Sequence, residues 1–460
     1  MPFCQTRSMS TLPVETWLQV LSYVEESDRP TLVSLCLVSK TLHRLSTPLL
    51  YSVVTSEDLK QQSLVDALTV GTRAKGTAAC VREISVNQCL RLERPDDTRL
   101  NDAEGTAQDQ SWSHAEVSLA QSETEAAWQH LVASIQNCKS IIKLSFTISC
   151  NTTYFYGPEG EDPINLVALP STSSLLSLPF LDTLAELFID SPQAPSINYR
   201  SFGELIVHCP GLYNVRLQFV KPESLFLSIR QAFALRKAPS IALRSIEWVE
   251  ITHTDEDYDS IVWFDEMLPS LATLPFLGQL SFLGTTVYYS MLQSENTSSP
   301  LRLPAITSLK LKESEPTSSE HHSRSADRGC RPLQDLAIYF PALQYLTTTV
   351  INIALYSTQD TTYPSLRALT IIDDYDFSSE AIPFPMHLLS REFAPELEVL
   401  KYQVQKAPGE VERMAEIEQE LSVCDMAGLG SKVASIEVEL GGLYRRFVRC
   451  EMGFKAVAEG

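Results

Sequence analysis

The chain has 460 residues, 44% of them hydrophobic and 20% charged, a composition that excludes a disordered chain and fits a folded protein with polar insertions. Its length calls for several domains or an elongated repeat array with a continuous core. The formal charge of −21, from 36 basic against 57 acidic residues, repels phosphate backbones and anionic lipid surfaces, so no nucleic acid and no membrane partner is expected.

The ten cysteines include no C-x-x-C pair and no clustering typical of a disulfide frame or zinc site, so reduced thiols are expected. The first residues lack a basic stretch, apolar run and cleavage site, and no apolar run of ~18 residues occurs. The expected location is therefore intracellular, cytoplasmic and/or nuclear.

Val14, Trp17, Leu18, Leu21 and Val24 recur at helical spacing behind Pro13, which suits a first helical position. Ser27 and Asp28 ahead of Pro30 signal a second start, and Leu32, Leu35, Cys36 and Ser39 continue an apolar stripe expected to end near Pro48. About forty residues in two or three short helices bury too little surface to stand alone, so the rest of the chain or a partner should cover part of this face.

The succession of Leu12, Pro13 and Glu15, then Trp17, Leu18 and Leu21, then Leu32, Leu35, Val38, Ser39 and Lys40, and finally Leu45, Pro48, Leu49, Leu50 and Tyr51 resembles the F-box family over residues 11 to 52. The resemblance implies an N-terminal three-helix segment, residues 9–52, that docks on a Skp-type adaptor and, through it, on cullin and RING subunits. The adaptor contacts it implies are Leu12, Pro13, Trp17, Leu21, Leu32, Leu35, Val38, Leu45 and Leu50, in a helix-in-groove mode.

Beyond residue 52 an apolar-x-x-apolar-x-apolar pattern recurs, with a Pro two residues ahead in most copies. It begins at Val81, Ile141, Leu184, Leu212, Leu243, Leu277, Ile306, Leu343, Leu366, Leu397 and Val433, and from Leu184 to Leu397 the interval varies from 23 to 37 residues. Strand alternation predicts that Val215 and Leu217, Ile246 and Trp248, Leu280 and Phe282, Leu309 and Leu311, Leu369 and Ile371, and Leu400 and Tyr402 point into the core. Amphipathic stretches precede many strands: Trp128, Leu131, Val132 and Ile135; Phe202, Leu205 and Ile206; Leu225, Ile229 and Phe233.

Helix, Pro and strand thus form the repeating unit, and strands separated by helices favour a parallel sheet. The expected fold class is α/β: the three-helix segment followed, over residues 75–440, by a solenoid with parallel strands that resembles leucine-rich repeats. Polar segments at about 93–125, 151–163 and 313–331 are expected to be mobile insertions. Val411, Met414, Ile417 and Leu421 mark a final amphipathic helix that could cap the array, and residues 441–460 are expected to be a C-terminal tail.

No G-x-x-x-x-G-K-[ST], G-x-S-x-G or H-E-x-x-H motif occurs. His321 and His322 lack a third ligand nearby, and the acidic run from Asp255 to Asp259 lacks the glycine and ligand spacing of a calcium loop. No catalytic residue, metal or cofactor is expected, and the chain is not read as an enzyme.

The strand positions that alternate away from the core supply candidate contacts to a protein target: Asn214, Arg216, Glu247, Gln279, Ser281, Lys310, Tyr345, Thr347 and Lys401. Their mixed polarity suits a protein surface better than a small apolar ligand. The expected function is substrate recognition within a Skp-cullin-F-box type ubiquitin ligase. The alternative is a non-degradative repeat scaffold for protein–protein interaction.

Overall fold

The computed structural model describes residues 13–24, 28–90, 114–150, 170–191, 200–218, 222–235, 243–249, 261–283, 286–290, 302–312, 330–332, 336–349, 362–373, 384, 386–390, 392–404, 409–423, 432–451 and 453–457. The chain divides into two units, Met1–Asp162 with Ala168–Leu187, and Pro163–Val167 with Phe188–Gly460.

In the first unit, caps set the limits of three successive helices, α1 (Val14–Ser22), α2 (Arg29–Val38) and α3 (Lys40–Leu50). Pro13 stands directly before α1. The Asp28 carboxylate accepts the Thr31 N–H at 3.2 Å at the start of α2, where Pro30 occupies the first turn. Ser39 is extended, with φ −156° and ψ 160°, and its hydroxyl accepts the Leu42 N–H at 3.1 Å.

This break at Ser39 divides the apolar stripe expected to run on towards Pro48. Pro48 lies inside α3 and does not end it, because in the last turn its missing N–H removes only one helical bond. Leu21, Leu32 and Leu42 form the interior of the three helices.

The chain continues through β1 (Val53–Thr55), α4 (Gln62–Thr69), α5 (Gly71–Ala78), β2 (Glu83–Leu90), α6 (His114–Ser134), β3 (Lys143–Cys150) and α7 (Thr172–Leu175). Strands β1, β2 and β3 are parallel, with Val54 opposite Ile84 and Ile84 opposite Leu144, all buried. Trp128 of α6 stacks on Phe146 of β3 at 5.6 Å between centroids. Residues 114–125, expected in an insertion, are helical and belong to α6. Strand β4 (Glu186–Asp190) spans the division between the units.

The second unit contains α8 (Arg200–His208), β5 (Asn214–Gln218), α9 (Pro222–Leu235), β6 (Ser245–Val249), β7 (Ile261–Trp263), α10 (Phe264–Leu271), β8 (Gln279–Leu283), β9 (Thr286–Ser290), β10 (Ser308–Lys312), β11 (Cys330–Pro332), α11 (Leu336–Tyr339), β12 (Tyr345–Thr349), β13 (Ala368–Asp373), β14 (Val399–Val404), α12 (Glu410–Ser422), β15 (Ser435–Leu440), β16 (Leu443–Cys450) and β17 (Gly453–Val457). Strands β5, β6, β8, β10, β12, β13, β14 and β15 follow one another in parallel pairs. The class is mixed α/β with a long, mostly parallel sheet.

Two segments depart from expectation. Residues 443–450 and 453–457, expected in a tail, form an antiparallel extension of the sheet on β15. Residues 330–332, expected in an insertion, form β11, which pairs with β9 in a small sheet completed by β7. Residues 93–113, 151–163 and 313–329 lie outside the described residues.

The repeat has a physical signature. In Cys209–Leu212, Leu274–Leu277, Leu303–Ile306, Phe340–Leu343, Tyr363–Leu366 and Ala394–Leu397, the last N–H donates to the first carbonyl at 3.1 to 3.3 Å. A Pro holds the second place of each turn, where its fixed φ matches the turn. One carbonyl per copy then accepts two successive N–H groups of the next copy. Tyr213 accepts Arg244 and Ser245, Arg244 accepts Gly278 and Gln279, and the series continues through Thr307, Gln344 and Arg367 to Glu398, which accepts Ala434 and Ser435.

The same device runs through the first unit, where Ser52 accepts Arg82 and Glu83, and Arg82 accepts Ile142 and Lys143. All eleven residues at which the apolar pattern begins are at most 2% exposed. The expected inward strand pairs are buried as well, except that the side chain of Trp248 is not among those described.

Candidate functional site

The helical segment of the first unit buries its interior and leaves further apolar side chains in solvent. Of the residues singled out by the F-box resemblance, Pro13 and Val38 are exposed, Trp17, Leu35, Leu45 and Leu50 are half-buried, and Leu12 lies outside the described residues. Leu21 and Leu32 are 1% and 0% exposed; they hold the helices together and present no surface to a partner. Val14, Leu18, Val20, Tyr23, Val33 and Leu37, none of them among the adaptor contacts that the resemblance implies, are exposed, Leu37 to 82%. Val14 and Leu18 stand four residues apart on one face of α1, a spacing visible in the sequence.

Arg29, which no motif marks, ties this segment to the first strand. Its guanidinium donates to the Val53 carbonyl at 2.6 Å and pairs with the Asp58 carboxylate. Asp58 also accepts from the Thr55 N–H at 2.9 Å and the Thr55 hydroxyl at 2.7 Å. Burial pushes the Asp58 carboxyl up, but the Thr55 hydrogen bonds and the Arg29 cation outweigh it and hold the group below the usual carboxylate range.

In the second unit the strand register gathers all nine candidate target contacts into two rows. One row runs Asn214, Ser245, Gln279, Ser308, Tyr345, Ala368, Val399; the next runs Arg216, Glu247, Ser281, Lys310, Thr347, Thr370, Lys401, Glu437, Arg446. Arg216, Gln279, Lys310, Tyr345 and Lys401 are exposed, while Asn214, Glu247, Ser281 and Thr347 are half-buried.

Arg216 lies 5.6 Å from the centroid of the Phe188 ring and 4.0 Å from Glu247, which together orient its guanidinium. Lys401 pairs with Glu437 at 2.7 Å. Glu437 of β15 and Arg446 of β16 extend this row beyond the expected contacts; β15 belongs to the repeat that begins at Val433, whereas β16 lies in the stretch expected to be a tail.

Two thiols, buried Cys138 and half-buried Cys80, are held towards the protonated form. Burial pushes Cys138 up to about 12 and raises Cys80 despite the neighbouring Arg82. Among the described residues no group of three His, Cys, Asp or Glu side chains could hold a metal ion. No described helix is long and apolar enough to cross a membrane. His321, His322 and the run from Asp255 to Asp259 lie outside the described residues. The chain matches no family model and none of the curated proteins.

Proposed function

We propose that the chain is the non-catalytic substrate-recognition subunit of a Skp-cullin-F-box type ubiquitin ligase, acting in the cytoplasm and/or nucleus. The observation that carries this is the solvent-open apolar set Val14, Leu18, Tyr23, Leu37 and Val38 along α1 and at the end of α2, in a three-helix segment whose own interior is already filled by Leu21, Leu32 and Leu42. Exposed apolar surface concentrated on so small a segment is the kind that a partner groove covers, and the F-box resemblance of the same segment gives that partner as a Skp-type adaptor.

The strand–turn–strand repetition of the rest supports a leucine-rich-repeat-like solenoid whose outward strand face holds the target. The mechanism is positional. Adaptor and target are held on one polypeptide, which raises the effective concentration of target lysines near the charged conjugating enzyme. The chain itself contributes no bond-making group.

The experiment is to capture the intact chain from cells with its bound proteins, with and without proteasome inhibition. Bound proteins whose abundance rises on inhibition support a degradative receptor; bound proteins indifferent to inhibition overturn it in favour of a scaffold.

A further inference from the structure

We propose that the outward face of the second unit's sheet recognises an extended segment of its protein target that carries Asp or Glu at every fourth residue. The proposal rests on the target-receptor reading above and deepens it by giving the target a chemistry.

The chain as a whole carries −21, yet the register row through β5 to β16 holds the cations Arg216, Lys310, Lys401 and Arg446 against only Glu247 and Glu437. Screening over about 8 Å at physiological salt means that a bound peptide responds to this row and little to the acidic surface elsewhere. Lys310 is exposed and lies between Ser281 and Thr347, with Gln279, Ser308 and Tyr345 in the adjoining row. Its nearest carboxylate along the row, Glu247, is two strands away, about 9 to 10 Å at the usual strand spacing. A carboxylate from outside would answer it.

The spacing sets the peptide's pattern. Arg216 and Lys401 each stand three strands from Lys310, on opposite sides. Three strand spacings are about 14 Å, the reach of about four residues of extended chain. Residues four apart in an extended peptide also point to the same side, so the central acid of three at that interval meets Lys310 while the outer two reach Arg216 and Lys401 in exchange with their partners Glu247 and Glu437. Tyr345, 49% exposed beside Lys310, offers an aromatic surface on which the intervening residues rest. Glu247 and Glu437 interrupt the row, which disfavours the evenly charged backbone of a nucleic acid.

The test uses the full chain and three fluorescent nine-residue peptides: Glu at positions one, five and nine among Ser and Gly; the same composition with the three Glu contiguous; and Lys in place of Glu. Anisotropy is expected to show the spaced acidic peptide binding tightest, and Lys310→Glu weakening it by at least about fivefold, as loss and reversal of an exposed pair allow. Lys310→Gln falls between.

Equal binding of the spaced and contiguous peptides, binding of the Lys peptide, no binding at all, or indifference to Lys310→Glu overturns the proposal. Adaptor capture is measured on the same preparations. Peptide failure with adaptor capture intact refutes this proposal alone, whereas failure of the intact chain to capture adaptor refutes the receptor reading.

Discussion

The Arg29 guanidinium at the start of α2 and the Asp58 carboxylate in the turn after β1 form an ion pair that joins the helical segment to the first strand. It matters because the proposed positional mechanism needs the helices, as the proposed adaptor-binding segment, held rigidly to the strands. Arg29→Ala is expected to lower stability by about 1 to 2 kcal/mol, the range for a partly exposed charged hydrogen bond. Amide exchange in α2 and α3 should accelerate more than in β12 to β14, and equal acceleration throughout would contradict the coupling.

Because the folded Asp58 carboxyl titrates below its ordinary value, its contribution is present above the ordinary carboxylate pKa and is lost as pH falls through the folded value. The stability gap between the intact chain and Asp58→Asn is therefore largest near neutrality and narrows below about pH 4. Urea unfolding at a series of pH values measures it, and a gap that stays constant would contradict the pairing.

Thr348 is fully buried between Leu311 and Ile371 in register, and its hydroxyl has no hydrogen-bond partner among the described residues. Thr348→Val keeps the shape and removes a desolvated polar group, so it is expected to stabilise the chain by about 1 kcal/mol. A lowered melting temperature would show that the hydroxyl is satisfied.

Gly203 in α8 lets that helix approach α9 closely, since a Cβ there would lie 2.7 Å from the Ser228 carbonyl carbon. Helix propensity alone predicts that Gly203→Ala stabilises by about 1 kcal/mol. The contact predicts a loss of about 1 to 3 kcal/mol. A thermal melt decides by its sign.

The inward strand positions were legible because a strand buried on one side writes its alternation into the sequence, as at Leu280 and Phe282 or Leu400 and Tyr402. The β16–β17 extension was not. Phe447 is the one fully buried residue of β16, flanked by Arg445, Arg446 and Arg449, so no apolar alternation appears. Its signal was the Gly441-Gly442 pair, with φ values of 55° and 120°, which marks a tight hairpin.

In the helical segment the apolar stripe was visible, but spacing alone does not say which of its residues turn inward. Leu21 and Leu32 went inside, while Leu18 and Leu37 stayed out. The Arg29–Asp58 pair spans 29 residues of sequence with no local pattern to announce it.

The most direct measurement is co-purification of the chain with a Skp-type adaptor at moderate salt, beside a Leu18→Glu, Leu37→Glu double variant. Both leucines are exposed, so the variant leaves the interior at Leu21, Leu32 and Leu42 untouched, and circular dichroism should be unchanged. The account predicts a stoichiometric complex with the intact chain and its loss in the folded variant; no complex with the intact chain, or an equal complex with both, would contradict it.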